Sequence, residues 1–199
     1  MMIKKLFLVP AFLAVSTMPA MAEKLSLDAL STYLNGMTTV KSAFTQISDD
    51  GTVQTGNLYI KRPGKMRFEY NPPETSVVLA SNNAVAIFDG RSNQPPETYP
   101  LRRTPLSIIL ARNVNLKQAN MVVGHEYDGT ATIVTAQDPV HPEHGYIQLK
   151  FTDSPAELRQ WVIFDGGGGQ TTVILGETEK ELELPNSLFS IERMIGRDN

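Results

Sequence analysis

Apolar and polar side chains alternate along much of the chain, and this alternation constrains the fold more strongly than any other feature. It is clearest at residues 146–152, where Ile147, Leu149 and Phe151 are separated by polar side chains. A period of two is typical of a β-strand with one buried face and one wet face. The same analysis predicts further strands at residues 42–48, 53–62, 65–70, 76–80, 84–89, 130–136, 157–164 and 170–183.

Glycine and asparagine clusters interrupt the strands about every 8 to 12 residues, a spacing typical of antiparallel hairpins. Residues 166–169, four consecutive glycines, predict one such turn, because they lack the Lys-Ser/Thr pair of a phosphate-binding loop. A sheet of so many strands has to curl. We therefore expect one curved antiparallel sheet.

Two helices are predicted beside this sheet. Leu27, Leu30, Leu34 and Met37 recur at helical spacing, which indicates a helix from Ser26, its N-cap, to about residue 40.

The second helix is short and follows Thr104, which is its predicted N-cap, with Pro105 at the first helical position. A helix within a series of strands usually covers part of the sheet. The fold class is therefore mainly β with a few short helices.

The first residues have the order of a secretory signal peptide. Lys4 and Lys5 precede an apolar run that ends at Val15, and small residues lead to a cleavage site after Ala22. We therefore expect a signal peptide at residues 1–22, a single domain at 23–199 and a periplasmic location. The leader holds two of the 18 Lys and Arg and none of the 21 Asp and Glu, which leaves a mature net charge of −5. This charge argues against a nucleic-acid partner.

The chain contains no cysteine. This excludes disulfides, a thiol nucleophile, a zinc site with Cys ligands and lipidation of the mature N-terminus, so stability must come from apolar burial and hydrogen bonds. We expect a monomer that is not attached to a membrane by a lipid.

Residues 58–70 predict a hairpin whose two strands share one apolar side. A one-residue slip would move every side chain to the other face, so parity restricts the pairing. We predict that Arg62 pairs with Met66 across a three-residue loop, because a two-residue Pro63-Gly64 loop would place Arg62 opposite Lys65 and would need a turn that proline cannot adopt. The polar side of the hairpin carries Lys61, Lys65, Arg67 and Glu69.

This pairing places the Arg62 cation on the apolar side of the sheet. An unpartnered buried charge costs several kcal/mol. Three arrangements remain open: the face is partly open to water, Arg62 donates to carbonyls of a neighbouring element, or its side chain extends to solvent along its own stem.

Several segments together resemble the LolA family of outer-membrane lipoprotein carriers. A strand ending in an Arg-Pro pair occupies residues 56–63, and Pro72-Pro73 follows an aromatic strand. Residues 104–113 resemble the short central helix of the family. Phe44-Thr45-Gln46 and residues 184–189 match the remaining landmarks. Each motif alone is weak, but their order and spacing are specific and span nearly all of residues 26–190.

The resemblance implies an incomplete antiparallel barrel, or half-barrel, covered by helices and enclosing an apolar cavity for lipoprotein acyl chains. It implies no catalysis and no cofactor. In the family the arginine of the Arg-Pro pair bonds to the helical lid and keeps the empty carrier closed, a role that falls to Arg62. Phe68 stands where the family frequently has a tryptophan. The residues predicted to line the cavity are Leu30, Leu34, Leu58, Ile60, Met66, Phe68, Tyr70, Leu79, Leu106, Ile109 and Leu110.

The resemblance also implies partners. These are lipoprotein acyl chains, an inner-membrane ABC transporter of the LolCDE type that loads the carrier, and a LolB-like outer-membrane acceptor where one exists.

Other residue clusters give weaker predictions. His141-Pro142-Glu143-His144 could offer metal ligands, but Pro142 is expected to prevent a helical arrangement, so no metal site is predicted. His125 is expected in a loop. Trp161, the only tryptophan, is expected in the core or the cavity wall.

Two other functions are weighed against the carrier. One is a LolA-like envelope-stress sensor, but such sensors have an additional C-terminal domain and this chain ends soon after Phe189. The other is a secreted hydrolase, which would need an acid-base or metal cluster that the motifs do not supply.

Overall fold

A computed structural model describes residues 23–92, 94–118 and 121–196, so the predicted signal peptide lies outside the described residues. Within them, eleven antiparallel strands form one sheet, in the spatial order β6-β5-β4-β3-β2-β1-β11-β10-β9-β8-β7. The strands are β1 (Thr39–Ile47), β2 (Val53–Lys61), β3 (Lys65–Tyr70), β4 (Val77–Ser81), β5 (Ala84–Phe88), β6 (Glu97–Pro100), β7 (Val122–Tyr127), β8 (Thr132–Gln137), β9 (Gly145–Thr152), β10 (Glu157–Asp165) and β11 (Gln170–Lys180). The sheet does not close, because β6 and β7 remain at its two edges. The predicted half-barrel is confirmed.

Three short α-helices accompany the sheet in the described ranges: α1 (Leu27–Gly36), α2 (Leu106–Leu110) and α3 (Ile191–Ile195). None of the helices there is both long and apolar enough to cross a membrane. The Ser26 hydroxyl accepts a hydrogen bond from Ala29 N and caps α1, as predicted. The helix ends at Gly36, earlier than predicted, and Val40 is a fully buried residue of β1.

The start of α2 differs from the prediction. The Thr104 hydroxyl does not cap the helix; it donates to Leu101 O (2.8 Å) and so closes the preceding 3-10 turn, Leu101–Arg103, while the backbone Thr104 O accepts from Ser107 N of α2 (3.0 Å). Pro105 is the residue that enters the helix, at the N-cap position. The sequence pattern fits either arrangement, because threonine hydroxyls donate to nearby carbonyls as readily as they cap helices.

The sheet has two apolar faces of unequal size. Its inner face packs against α1 and α2 in one large cluster that includes Trp161, Phe151, Leu58 and Leu30. Trp161 is fully buried, as predicted. A smaller cluster on the outer face joins Leu79, Ala86 and Phe88 to Ile191 and Met194 of α3. The C-terminal segment therefore covers part of the face that the alternation predicts to be wet.

Arg67 shows the effect of this C-terminal segment, because Arg67 is only 6% exposed although it lies on the polar side of its strand. Its guanidinium forms an ion pair with Glu69 (2.6 Å) and donates to Leu188 O (3.2 Å). A buried arginine is stable when it is paired in this way.

The β2–β3 hairpin has the predicted three-residue loop but a different register. Ile60 pairs with Met66, and Lys61 pairs with Lys65, so the predicted pairing of Arg62 with Met66 is wrong by two residues. Parity is preserved, since a shift of two keeps every side chain on its face.

The Lys61–Lys65 pair is tolerated because both ammonium groups bond to the C-terminal segment. Lys61 Nζ donates to Leu184 O (2.6 Å) and Lys65 Nζ to Asn186 Oδ1 (2.9 Å). Sequence alone could not supply these partners, which lie more than 120 positions away along the chain.

The two edge strands are not predicted by the alternation. β6 is exposed at every position, and β7 is only partly covered, so neither has the alternation that burial of one face imposes. His125 lies on β7 rather than in a loop, and its Nε2 is 2.8 Å from Leu25 O. The glycine turn at 166–169 is confirmed between β10 and β11, where Gly168 has a positive φ of 88°.

Candidate functional site

Arg62 lies directly after β2 and joins both helices of the cover, by which we mean α1, α2 and the chain from Ala111 to Leu116. Its guanidinium donates to Leu34 O in the last turn of α1 and to Ala111 O at the end of α2 (2.5 Å). It also donates to Asn35 Oδ1 (3.2 Å). Helix C-termini present unpaired carbonyls and partial negative charge, so a cation between two of them is favourable.

The guanidinium is thus neither in bulk water nor unpartnered. Of the three arrangements left open by the sequence, the structure has Arg62 bonded to carbonyls of neighbouring elements. Burial lowers the pKa of Arg62 below its usual value, although arginine stays charged. Arg62 Nε is buried without a partner among the described atoms, so the bonds to Leu34, Asn35 and Ala111 all come from the two terminal nitrogens of the guanidinium.

The cover is closed onto the sheet beside Arg62. The space between them is only about 10 Å³ and is lined by Leu34, Met37, Ile60, Ile109 and Leu158. A molecule larger than water can therefore enter at this point only if α1 or α2 moves away from the inner face.

A second set of bonds holds α1 to the chain after α2. Asn35 Nδ2 donates to Val114 O (2.8 Å), and Asn35 Oδ1 accepts from Val114 N (2.9 Å). One turn earlier, Ser31 Oγ accepts from Leu116 N (3.0 Å). Ser31 and Asn35 are four residues apart and so face the same side of α1. Sequence reasoning missed both residues; the available signal was the spacing of four between two polar side chains on one side of the helix.

The hairpin tip also contacts the cover. Gly64 N donates to Leu110 O (2.9 Å), and Gly64 has a positive φ of 71° that favours glycine. The β2–β3 loop therefore fixes the end of α2 through both Arg62 and Gly64.

An open cleft of about 410 Å³ lies farther along the inner face. Its apolar wall includes Phe68, Tyr70, Leu106, Trp161 and Ile163, and it carries a polar edge formed by Gln46, Gln54 and Glu74. The ring centroids of Phe68 and Trp161 are 6.4 Å apart in an edge-to-face arrangement.

Tyr70 has a polar end in this apolar cleft. Its hydroxyl donates to Gln46 Oε1 (2.7 Å), and burial raises the pKa of Tyr70 to about 12. The side chain therefore stays neutral at physiological pH and adds no charge to the wall.

A second groove of about 420 Å³ shares Leu106 and Ile163 with the cleft. Arg103, His144 and Asp165 stand at its border. The two spaces thus meet at an apolar contact made by the first residue of α2 and by β10. A ligand with a long apolar part could occupy both.

The structure brings most of the predicted cavity residues together. The inner cluster contains Leu30, Leu34, Leu58, Ile60, Met66, Phe68, Leu106, Ile109 and Leu110, and Tyr70 packs against it. Leu79 is the exception, because it belongs to the outer cluster with Ala86 and Phe88. It pairs with Arg67 across β3 and β4, so its parity places it on the opposite face from Met66. Among these residues, Phe68, Tyr70 and Leu106 line the open cleft.

His141, Glu143 and His144 form a separate polar cluster between β8 and β9. The expectation that Pro142 prevents helical structure is wrong, because Pro142–His144 is a 3-10 turn with the proline at its start. Proline is suited to the first turn of a helix, where its missing N–H would have no partner.

Comparison with known proteins agrees with this architecture. Residues 35–192 match the family profile of the outer membrane lipoprotein carrier protein LolA. An outer-membrane lipoprotein carrier protein of Dechloromonas aromatica is 24% identical over 189 residues, covering 91% of this chain and 90% of the relative. One of Methylobacillus flagellatus is 22% identical and covers 94% and 97%.

A solved structure shares the fold. A domain from Vibrio parahaemolyticus, described as an outer membrane lipoprotein-sorting protein, superposes with a TM-score of 0.51 over 85% of this chain and 96% of that chain. The two sequences are only 7% identical, so this likeness supports the fold alone.

Proposed function

The chain belongs to the LolA family of outer membrane lipoprotein carrier proteins, and we propose that it carries lipoproteins to the outer membrane by sheltering their acyl chains between the inner face and the cover. The observation that carries the proposal is the position of Arg62, which ties both helices of the cover over an apolar face. The residues that the sequence predicts to line the cavity, apart from Leu79, form the acyl-chain site. The carrier role requires no reaction and no cofactor.

Energetics explain why such a carrier needs a cover that resists opening. Each buried methylene contributes roughly 0.8 kcal/mol, so one chain of about 16 carbons gains near 12 kcal/mol. Several chains would bind too tightly to be released. The free energy of opening the cover subtracts from this gain and brings the net affinity into a usable range.

Arg62 supplies part of that opening cost. A hydrogen bond to a charged group contributes about 1.5–3 kcal/mol, and opening breaks the bonds from Arg62 to Leu34 and Ala111. The small space beside it, about 10 Å³, represents the closed position of the cover. The open cleft of about 410 Å³ is the place where an acyl chain can first insert.

Loading and release require partners, which we propose by family membership. An inner-membrane ABC transporter of the LolCDE type would drive loading, and a LolB-like acceptor would receive the lipoprotein at the outer membrane. We further propose a periplasmic location after removal of residues 1–22, on the basis of the leader sequence.

Release of lipoproteins from spheroplasts tests the carrier function. Purified protein, residues 23–199, is added to spheroplasts, and lipoproteins in the supernatant are identified by mass spectrometry. We expect a soluble complex with triacylated lipoprotein, whereas the same lipoprotein with its lipidated cysteine replaced should not bind. Absence of any released lipoprotein would contradict the proposal.

A second measurement separates the carrier from a hydrolase. Replacing His125, His141 and His144 together by alanine should leave lipoprotein release intact, because none of these histidines belongs to the inner apolar cluster or lines the open cleft, and His144 only borders the second groove. Loss of release in a folded triple variant would favour a function that depends on imidazole groups.

A further inference from the structure

The turn between β8 and β9 holds two imidazoles and a carboxylate in a constrained arrangement. His144 N donates to His141 O (3.1 Å) and closes the 3-10 turn, and Gly145, with a positive φ of 94°, leads the chain into β9. The neighbouring β10–β11 hairpin packs tightly against the turn, since a side chain at Gly166 would collide with Glu143 O. The backbone that carries these side chains is therefore fixed by its neighbours.

The ligand atoms are spaced as a small cation requires. His141 Nδ1 is 2.9 Å from Glu143 Oε1, His144 Nε2 is 3.9 Å from the same oxygen, and all three atoms lie within 4.8 Å of one another. A tetrahedral ion with bonds of about 2.1 Å holds its ligands roughly 3.4 Å apart. The observed distances bracket that value, so small side-chain rotations are sufficient.

The types of ligand decide the class of metal. Imidazole with one carboxylate suits Zn²⁺ and similar transition-metal ions, whereas Ca²⁺ and Mg²⁺ require six or more oxygen ligands. The chain has no cysteine and only three histidines, so His141 and His144 supply two of its three nitrogen ligands of this kind.

We propose that His141, Glu143 and His144 bind one divalent transition-metal ion of the Zn²⁺ type. Three protein ligands leave one position of a tetrahedral ion for water or an exchangeable ligand. Glu143 and His144 border the groove that leads to Leu106, so the ion adds positive charge at the entrance of that groove.

We expect a moderate affinity, for two reasons visible in the turn. His144 Nδ1 is buried without a hydrogen-bond partner among the described atoms, so no second-shell acceptor orients this ring. The His141–Glu143 bond and the stacked imidazoles, with ring centroids 4.9 Å apart, also have to rearrange.

Calorimetric titration of the purified metal-free protein with ZnCl₂ tests the site. Wild type should bind one ion per chain with a dissociation constant on the order of 1 μM. His141→Ala, Glu143→Gln and His144→Ala should each weaken binding at least about tenfold, a difference of about 1.4 kcal/mol. Zn²⁺ should also raise the Tm of wild type but not that of the double variant H141A/H144A.

His125→Ala is the matched control, because His125 is the remaining histidine and lies on β7 with its ring against Leu25 O. It should bind Zn²⁺ as wild type does, and thermal unfolding without metal should show that every variant folds. Three results would overturn the proposal: no saturable binding, equal affinity of wild type and H141A/H144A, or an equal loss in His125→Ala.

Discussion

The side-chain amide of Asn35 and the backbone of Val114 form two complementary hydrogen bonds, from Nδ2 to Val114 O and from Val114 N to Oδ1. Asn35 thereby imitates one step of a β-ladder and attaches α1 to the chain that follows α2. The same Oδ1 accepts from Arg62, so one carboxamide belongs to both sets of bonds that hold the cover. Asn35 is thus a positioning residue for the closed state.

Asn35→Ala should loosen the cover without unfolding the sheet. It leaves Val114 N and Val114 O unpaired, at a cost of about 1–3 kcal/mol, and so makes opening easier. Amide hydrogen exchange at residues 111–116 should accelerate roughly tenfold or more, and cargo should bind more tightly. Asn57→Ala, on the outer face of β2, is the control. Unchanged exchange at these amides would show that Asn35 does not hold the cover.

Arg62→Leu should keep the protein folded and able to take cargo but slow its release. The leucine preserves the apolar wall, but the bonds to Leu34 O and Ala111 O are lost. The closed state is therefore destabilised relative to the open, loaded state, and cargo is held more tightly. Transfer to acceptor membranes should slow by about tenfold or more. The exposed Arg159→Leu should transfer normally, since its surface ion pair contributes little.

Arg62→Lys separates charge from geometry in the same assay. A lysine retains the positive charge but lacks the planar, forked donor that reaches two carbonyls and an amide oxygen. We expect transfer to slow as in Arg62→Leu, though less severely. Wild-type kinetics in both variants would refute the gating role.

Trp161 provides a direct test of where the acyl chain lies. It is the only tryptophan, it is buried, and it lines the open cleft with Phe68 and Leu106. Acyl chains brominated along their length should quench its fluorescence, while unbrominated chains of equal length should not. Binding of the brominated chain without quenching would place the cargo elsewhere.

Leu79→Ala should reduce stability and leave cargo affinity unchanged. Leu79 is fully buried in the outer cluster, so its truncation should lower the free energy of unfolding by about 2–5 kcal/mol. Denaturant unfolding measures this loss, and an acyl-chain binding assay measures affinity. Leu106→Ala, at the cleft, is the contrasting variant and should weaken binding. If Leu79→Ala selectively weakened acyl-chain binding, Leu79 would have to be counted as part of the acyl-chain site.

The sequence by itself determined the class of fold and the side on which Arg62 lies. Alternation revealed nine of the eleven strands, because burial of one face imposes a period of two on any strand in the middle of a sheet. It did not reveal β6 and β7, since edge strands are not held to that pattern. Parity placed Arg62 on the inner side even though the predicted register was wrong by two residues.

Only the tertiary structure decided which distant groups these side chains meet. Arg62 bonds to α1 and to the end of α2, Asn35 reaches Val114, and Leu79 lies beneath α3 rather than under the cover. Local periodicity fixes the face of a strand that each residue occupies, but it carries no information about which segment packs on that face. That choice depends on long-range burial and on hydrogen-bond partners that only the folded chain brings together.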